Sequence, residues 1–159
     1  MPEPAVELAP AGPPDLEELL ELLARFNASQ GYAYDAATGR FALGELLAKP
    51  ELGRAYWIRH DGASVGYAVL CFGWSLEWGG RDAFVDEIFV EAPARGHGIG
   101  RAALRALIRE AERLGVRALH LEVESGNEAG QALYRSEGFA GKDRQILTLR
   151  PGAAAPQRR

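Results

Sequence analysis

A mixed sheet with helices on both faces, in a single α/β (α+β) domain, is the fold this sequence predicts. Three observations lead to it. Apolar residues recur at helical spacing in some windows and at period two in the windows between them. Those windows run in the order strand, two helices, three antiparallel-looking strands, helix, strand, helix, strand. The chain has 159 residues, enough for one domain that buries roughly 70% of its extended surface without staples.

The elements follow in order. Val6, Glu7 and Leu8 read as a short first strand. Pro13 and Pro14 stop the chain, and Asp15 with Glu18 three residues on resembles a capping box. Leu16, Leu19, Leu20, Leu23 and Phe26 then share a helical face, and Gly31 ends the helix. Residues 32–38 read as a loop. Phe41, Leu43, Leu46 and Leu47 mark a shorter helix ending at Pro50. Residues 55–59 and 64–74 are strands around His60-Asp61-Gly62-Ala63, an Asp-Gly hairpin signal. A turn rich in Trp and Gly covers 75–81, and 83–90 is the next strand, closed by Pro93. Residues 98–114 form the clearest helix. Ile99, Ala103, Leu107, Ile108, Ala111 and Leu114 make its apolar stripe, while Arg101, Arg105, Arg109 and Arg113 face water. Gly115 stops it. Residues 118–124 alternate as a strand, with Leu119, Leu121 and Val123 opposite His120, Glu122 and Glu124. Asn127 is an N-cap for a last helix through Glu137. A final strand is expected over 145–149. The domain is expected to span 1–150, with 151–159 a disordered tail.

Composition narrows the function classes. Hydrophobic content is 47%, charged content 25% and net charge −4; this acidic balance argues against nucleic acid as the main partner. No run is long enough to span a membrane and no signal segment is read at the N-terminus. The lone Cys71 makes no internal disulfide, which fits a reducing, cytoplasmic setting. No spacing of His, Cys, Asp and Glu makes a metal site.

The chemistry concentrates in Arg95-Gly96-His97-Gly98-Ile99-Gly100, between a strand and the arginine-striped helix. Alternate glycines leave bare backbone, and the helix start presents unpaired N–H groups and the positive end of its dipole. The combination is a socket for phosphate or pyrophosphate. A P-loop would need Lys then Ser or Thr after the last glycine, whereas Arg101-Ala102 follows Gly100. A dinucleotide fingerprint would need a sixth-position glycine where Arg101 stands. The stretch instead has the form Arg/Gln-x-x-Gly-x-Gly/Ala and resembles the acetyl-CoA loop of the GNAT N-acetyltransferases. Asp86-Glu87-Ile88-Phe89-Val90 before it, and Asn127, Ala132-Leu133-Tyr134 and Gly138-Phe139 after it, are similar to that family's two motifs. The likeness covers about residues 55–149.

The resemblance implies a GNAT fold whose two central strands, 83–90 and 118–124, splay apart. It implies acetyl-CoA as co-substrate, with backbone at Ile88, Phe89 and Val90 receiving the pantetheine arm. Amides of Arg95, Gly96, His97, Gly98, Ile99, Gly100 and Arg101 would receive the diphosphate, and Asn127 would touch the ligand as well as cap its helix. His97 is counted for its backbone only. Tyr134 would be the general acid for the departing thiolate; a buried aromatic with its hydroxyl at the rim is the alternative. Asp86 and Glu87 would serve the amine, whose pKa of ~10.4 makes supplying it neutral cost about 4–5 kcal/mol at pH 7. Adjacent strand residues point to opposite faces, so only one of the two is expected to face the cleft. Cys71 reads as apolar filling, and His120, Glu122 and Glu124 as a polar sheet surface. Trp74, Trp78 and Tyr32 are expected to border the acceptor. Residues 72–90 are similar to the polyamine and thialysine branch of the family. The expected partner is thus a small cationic amine such as a polyamine or diamine. A protein N-terminus, an aminoglycoside, or a non-catalytic acyl-CoA-binding module stand as alternatives. A homodimer is common in the family.

Overall fold

The computed structural model describes residues 2–141 and 143–152. Its elements are β1 (Glu7–Pro10), α1 (Leu16–Gln30), α2 (Ala36–Ala48), β2 (Gly53–His60), β3 (Ala63–Ser75), β4 (Gly80–Val90), α3 (Ile99–Arg113), β5 (Ala118–His120) and α4 (Glu128–Ser136). The sheet order is β1-β2-β3-β4-β5. All pairs are antiparallel except β4 with β5, which is parallel.

Alternation along the strands builds a core on each face. Ala55, Trp57, Tyr67 and Val69 pack with Leu19 and Leu22 of α1 and Leu47 of α2. Tyr56, Ile58, Ala68 and Leu70 pack with Ile99, Ala103, Leu107 and Ala111 of α3. The three layers follow from period two in the sheet and period 3.6 in the helices. The β2–β3 turn places Asp61 at φ 49° and Gly62 at φ 78°, the paired positive φ that an Asp-Gly hairpin turn requires.

Helix entry differs from the expected capping box. A 3-10 turn at Pro13–Asp15 precedes α1, and the Asp15 carboxylate accepts the Gly12 N–H (2.8 Å) and the Trp57 indole N–H (3.1 Å) rather than engaging Glu18. α2 begins within the expected loop because Asp35 caps it, its side chain accepting the Thr38 N–H. Arg101 and Arg105 are not simply solvated. Both reach Glu137, at 3.2 and 2.7 Å, and tie α3 to the end of α4.

Two strand expectations fail. β5 ends at His120 instead of running to Glu124. Residues 145–149 form no strand, and Ile146, Leu147 and Leu149 stand exposed; the three-residue β5 offers little edge for them to extend. Of the expected tail, Pro151 and Gly152 form a turn, and 153–159 lie outside the described residues.

The β3–β4 contact is close enough to test. A Cβ at Gly66 would stand 2.0 Å from the Phe89 carbonyl oxygen. Gly66→Ala is expected to force the strands apart and cost roughly 3 kcal/mol or more, read as a fall in Tm far beyond that of a control at Gly126, which is exposed with open space around it.

Candidate active site

The site begins where the parallel pair ends. β4 and β5 pair only from Asp82 to Phe84 and from Ala118 to His120. Beyond that the chain after β5 runs toward α4 while β4 continues to Val90. A cavity of about 460 Å³ fills the gap, walled by residues 84–88 of β4 and 121–124 after β5. Asn127 and Tyr134 close it from α4, and Asn27 and Tyr32 from the end of α1 and the loop after it. The Tyr32 hydroxyl donates to Glu124 (2.9 Å) across this cavity.

A second cavity of about 500 Å³ opens between α1, α2 and the sheet. Its walls are mainly apolar, with Leu23, Leu43, Leu46 and Val69 among them. Asn27, Asp86 and Glu87 line both cavities. The acidic pair therefore stands at their junction.

Strict alternation would not place both carboxylates there. The register shows why they share a face: Val69 opposes Glu87 and Leu70 opposes Val85, so Asp86 is an extra residue in β4. This β-bulge reverses the facing of everything after it. Val85 packs toward α3 whereas Phe89, four residues on, packs toward α1. The expectation that only one of Asp86 and Glu87 reaches the cleft is corrected by that one inserted residue.

The two carboxyls differ in setting. Glu87 accepts a hydrogen bond from Tyr67 (2.6 Å). Desolvation, with a smaller push from the Asp86 charge, takes its carboxyl up to about 7, against the lowering effect of the Tyr67 bond. Asp86 is more open, and its carboxyl also rises through desolvation by the cleft walls. Cys71 faces the second cavity, its thiol pushed up to about 11 by desolvation and by the two carboxylates. It is protonated at neutral pH and a poor nucleophile.

At the far end of β4 the glycine stretch enters α3. Gly96 and Gly98 hold φ of 81° and 78°. Among the described residues, no protein acceptor meets the main-chain N–H groups of residues 96–101. Space is open around Gly96 and Gly100. The expected row of unpaired amides is present with one difference at its start. The Arg95 N–H is taken by the Ala92 carbonyl (3.2 Å), and its guanidinium donates to the Val90 carbonyl (2.7 Å) while lying over the Phe89 ring. Arg95 thus braces the turn against β4, and the unpaired donors begin at Gly96. His97 is exposed.

On α4, Asn127 caps the helix, its Oδ1 accepting the Gly130 N–H (2.9 Å). Tyr134 lies one face away, edge-on to Phe139, with its hydroxyl raised by desolvation. Glu122 and Glu124 are cavity walls rather than a sheet surface. His120 sits between Trp78 and Phe84, 3.3 Å from Asp82. Trp74 and Trp78 line neither cavity; Trp74 projects into solvent at the β3–β4 end of the sheet. Of the three aromatics expected to border the acceptor, only Tyr32 lines either cavity, and that is the gap between β4 and β5 rather than the cavity between α1, α2 and the sheet. Tyr67 and Arg150, which also line the second cavity, escaped the sequence reading. No described group of three or more His, Cys, Asp or Glu could hold a metal, and no described helix is long and apolar enough to cross a membrane.

A splayed parallel pair, a bulge before a glycine turn and unpaired amides at a helix start form one constellation, and the model of the acetyltransferase (GNAT) family matches residues 16–139. The chain belongs to the GNAT acetyltransferase family. This acetyltransferase is 31% identical over 124 residues to the IAA acetyltransferase of Azospirillum brasilense, covering 78% of each chain. It is 32% identical over 74 residues to the thialysine N-epsilon-acetyltransferase of Bos taurus, which covers 46% of this chain and 43% of that one. Among solved structures, an integron cassette protein from the mobile metagenome of Cole Harbour Salt Marsh superposes with a TM-score of 0.79 at 35% identity, covering 92% of this chain and 91% of that chain. The GNAT enzyme is an acetyl-CoA-dependent N-acetyltransferase. Its residues fit that co-substrate: a row of unpaired amides with glycine at every second position suits a diphosphate, and an open strand edge leads from it to the acidic pair.

Proposed function

We propose that this acetyltransferase moves an acetyl group from acetyl-CoA to the primary amine of a small molecule held in the cavity between α1, α2 and the sheet. The observation that carries the proposal is the Asp86–Glu87 bulge at the junction of the two cavities. Acetyl-CoA supplies the activated acyl group from the splayed gap. The amides of residues 96–101 hold its diphosphate, and the β4 edge at Ile88, Phe89 and Val90 aligns its arm. Asn127 adds a polar contact from α4.

Glu87 is the general base. An ammonium bound beside Asp86 and Glu87 is first held as a cation and then gives a proton to Glu87, directly or through water. Tyr67 fixes the carboxylate during that transfer. The C–N bond forms as the C–S bond breaks, and Tyr134 gives its proton to the leaving sulfur. No covalent enzyme intermediate is needed, and Cys71 in its protonated state offers none.

The cavity favours an amine on a short, largely apolar stem. A diamine or polyamine suits the carboxylates, yet Arg150, which lines the same cavity, would face a second cation. A small acceptor with one amine is therefore preferred. Thiol release measured with acetyl-CoA and a panel of amines tests the reading. Release that depends on an amine supports it; release with none of them leaves a binding module instead.

Tyr134→Phe isolates the acid. Turnover is expected to fall about ten-fold, with acetyl-CoA affinity by calorimetry nearly unchanged. An unchanged turnover would remove Tyr134 from the mechanism.

A further inference from the structure

The acceptor cavity contains a cation that acetyl transfer itself does not use. Arg150 comes from the segment after α4 and lines the same cavity as Asp35, Asp86 and Glu87. Among the described residues it makes no ion pair. Asp35 does not answer it: its carboxylate is engaged by the Thr38 N–H and hydroxyl at the start of α2. The cavity thus has an acidic end at the bulge, apolar walls of leucine and valine, and one guanidinium.

Resting on the proposed function, we propose that the acceptor carries an anionic group, a carboxylate or its equivalent, at the opposite end of its stem from the reacting amine. Arg150 binds that group. A guanidinium holds a carboxylate through paired, charge-assisted hydrogen bonds, and it selects against a second ammonium in the same place. The amine end goes to Asp86 and Glu87, the stem lies along Leu43, Leu46 and Val69, and the anion reaches Arg150. Arg150 is then a specificity residue and not a catalytic one. The polarity of the cavity also sets the orientation of the acceptor: reversed binding would put the anion against two carboxylates and the ammonium against the guanidinium.

The test uses the full chain, acetyl-CoA and three acceptors of equal stem: 5-aminopentanoate, pentylamine and 1,5-diaminopentane. The expected order of kcat/KM is 5-aminopentanoate first, by about ten-fold or more over either of the others. Arg150→Ala should shrink that ratio toward unity, Arg150→Lys should restore most of it, and Arg150→Glu should invert it in favour of the diamine. Arg150 is exposed, so these variants are expected to keep the wild-type melting temperature. Calorimetric titration with 5-aminopentanoate and pentylamine, without coenzyme, should show the same order of affinity. Equal rates with pentylamine and 5-aminopentanoate, or a preference untouched by Arg150→Glu, would overturn the inference while leaving the proposed acetyl transfer standing. No amine-dependent thiol release with any of the acceptors would overturn both.

Discussion

Glu87→Gln is expected to make the protein more stable and much less active at the same time. The folded-state carboxyl lies at about 7 against a model value of 4.5. The folded protein therefore binds the proton more tightly than the unfolded chain does. Stability falls as pH rises from about 4.5 to about 7, and the full penalty is present above that window. Gln keeps an oxygen to accept the Tyr67 hydroxyl and removes the charge. At pH 8 the gain is at most about 3 kcal/mol, and less in proportion to the water that reaches the cleft. A rise in Tm of a few degrees at pH 8 follows, fading by pH 5. Turnover moves the other way. Without a base the enzyme must await the neutral amine, which at pH 8 is under about a hundredth of a pKa ~10.4 amine, so kcat/KM is expected to fall about 10²-fold. Loss of both stability and activity would assign Glu87 a structural role instead.

Gly100→Glu separates the anion socket from the fold. The position lies in the first turn of α3 with open space around it. Exchanging glycine for glutamate there gains about 0.5–1 kcal/mol of helix propensity. A further ~0.3–1 kcal/mol comes from negative charge at the positive end of the dipole. The melting temperature should hold or rise. Acetyl-CoA affinity should fall about 10²-fold or more, because the carboxylate occupies and repels the place of the diphosphate. Calorimetry beside a melting curve reads both. Gly98→Val is a poorer probe: Gly98 has φ 78° and its Cβ would meet Pro4 at 3.4 Å, so strain in the fold accompanies any loss of binding. Wild-type affinity in Gly100→Glu would place the diphosphate elsewhere.

Much of the fold is legible in the chain. Leu16 to Phe26 and Ile99 to Ala111 carry helical stripes, Asp61-Gly62 marks the hairpin, and Gly98 and Asn127 mark helix starts. Those signals are local, each set by a few neighbouring residues. The acidic pair was identified but misplaced, because period two forbids both carboxylates on one face. Alternation puts Val85, Glu87 and Phe89 on one face, whereas the inserted residue parts Val85, toward α3, from Glu87 and Phe89, toward α1. Tyr67 and Arg150 were hidden because nothing near them in sequence points to Glu87 or to the cavity; only the β3–β4 register and the return of the chain after α4 bring them in. A strand is expected over residues 145–149, and a three-residue β5 leaves it little edge to join. Trp74 and Trp78 read as acceptor aromatics from their place before the acidic pair, yet the length of β3 and β4 carries them to the other end of the sheet.

The pH profile of kcat/KM for the amine, in wild type and Glu87→Gln, tests most directly whether the carboxylate at the junction takes the proton of the acceptor. The wild-type profile should rise to a plateau near pH 7 and hold until the amine itself titrates near ~10, whereas the variant should climb without a plateau up to the amine's own ionisation. Superimposable profiles would contradict the account.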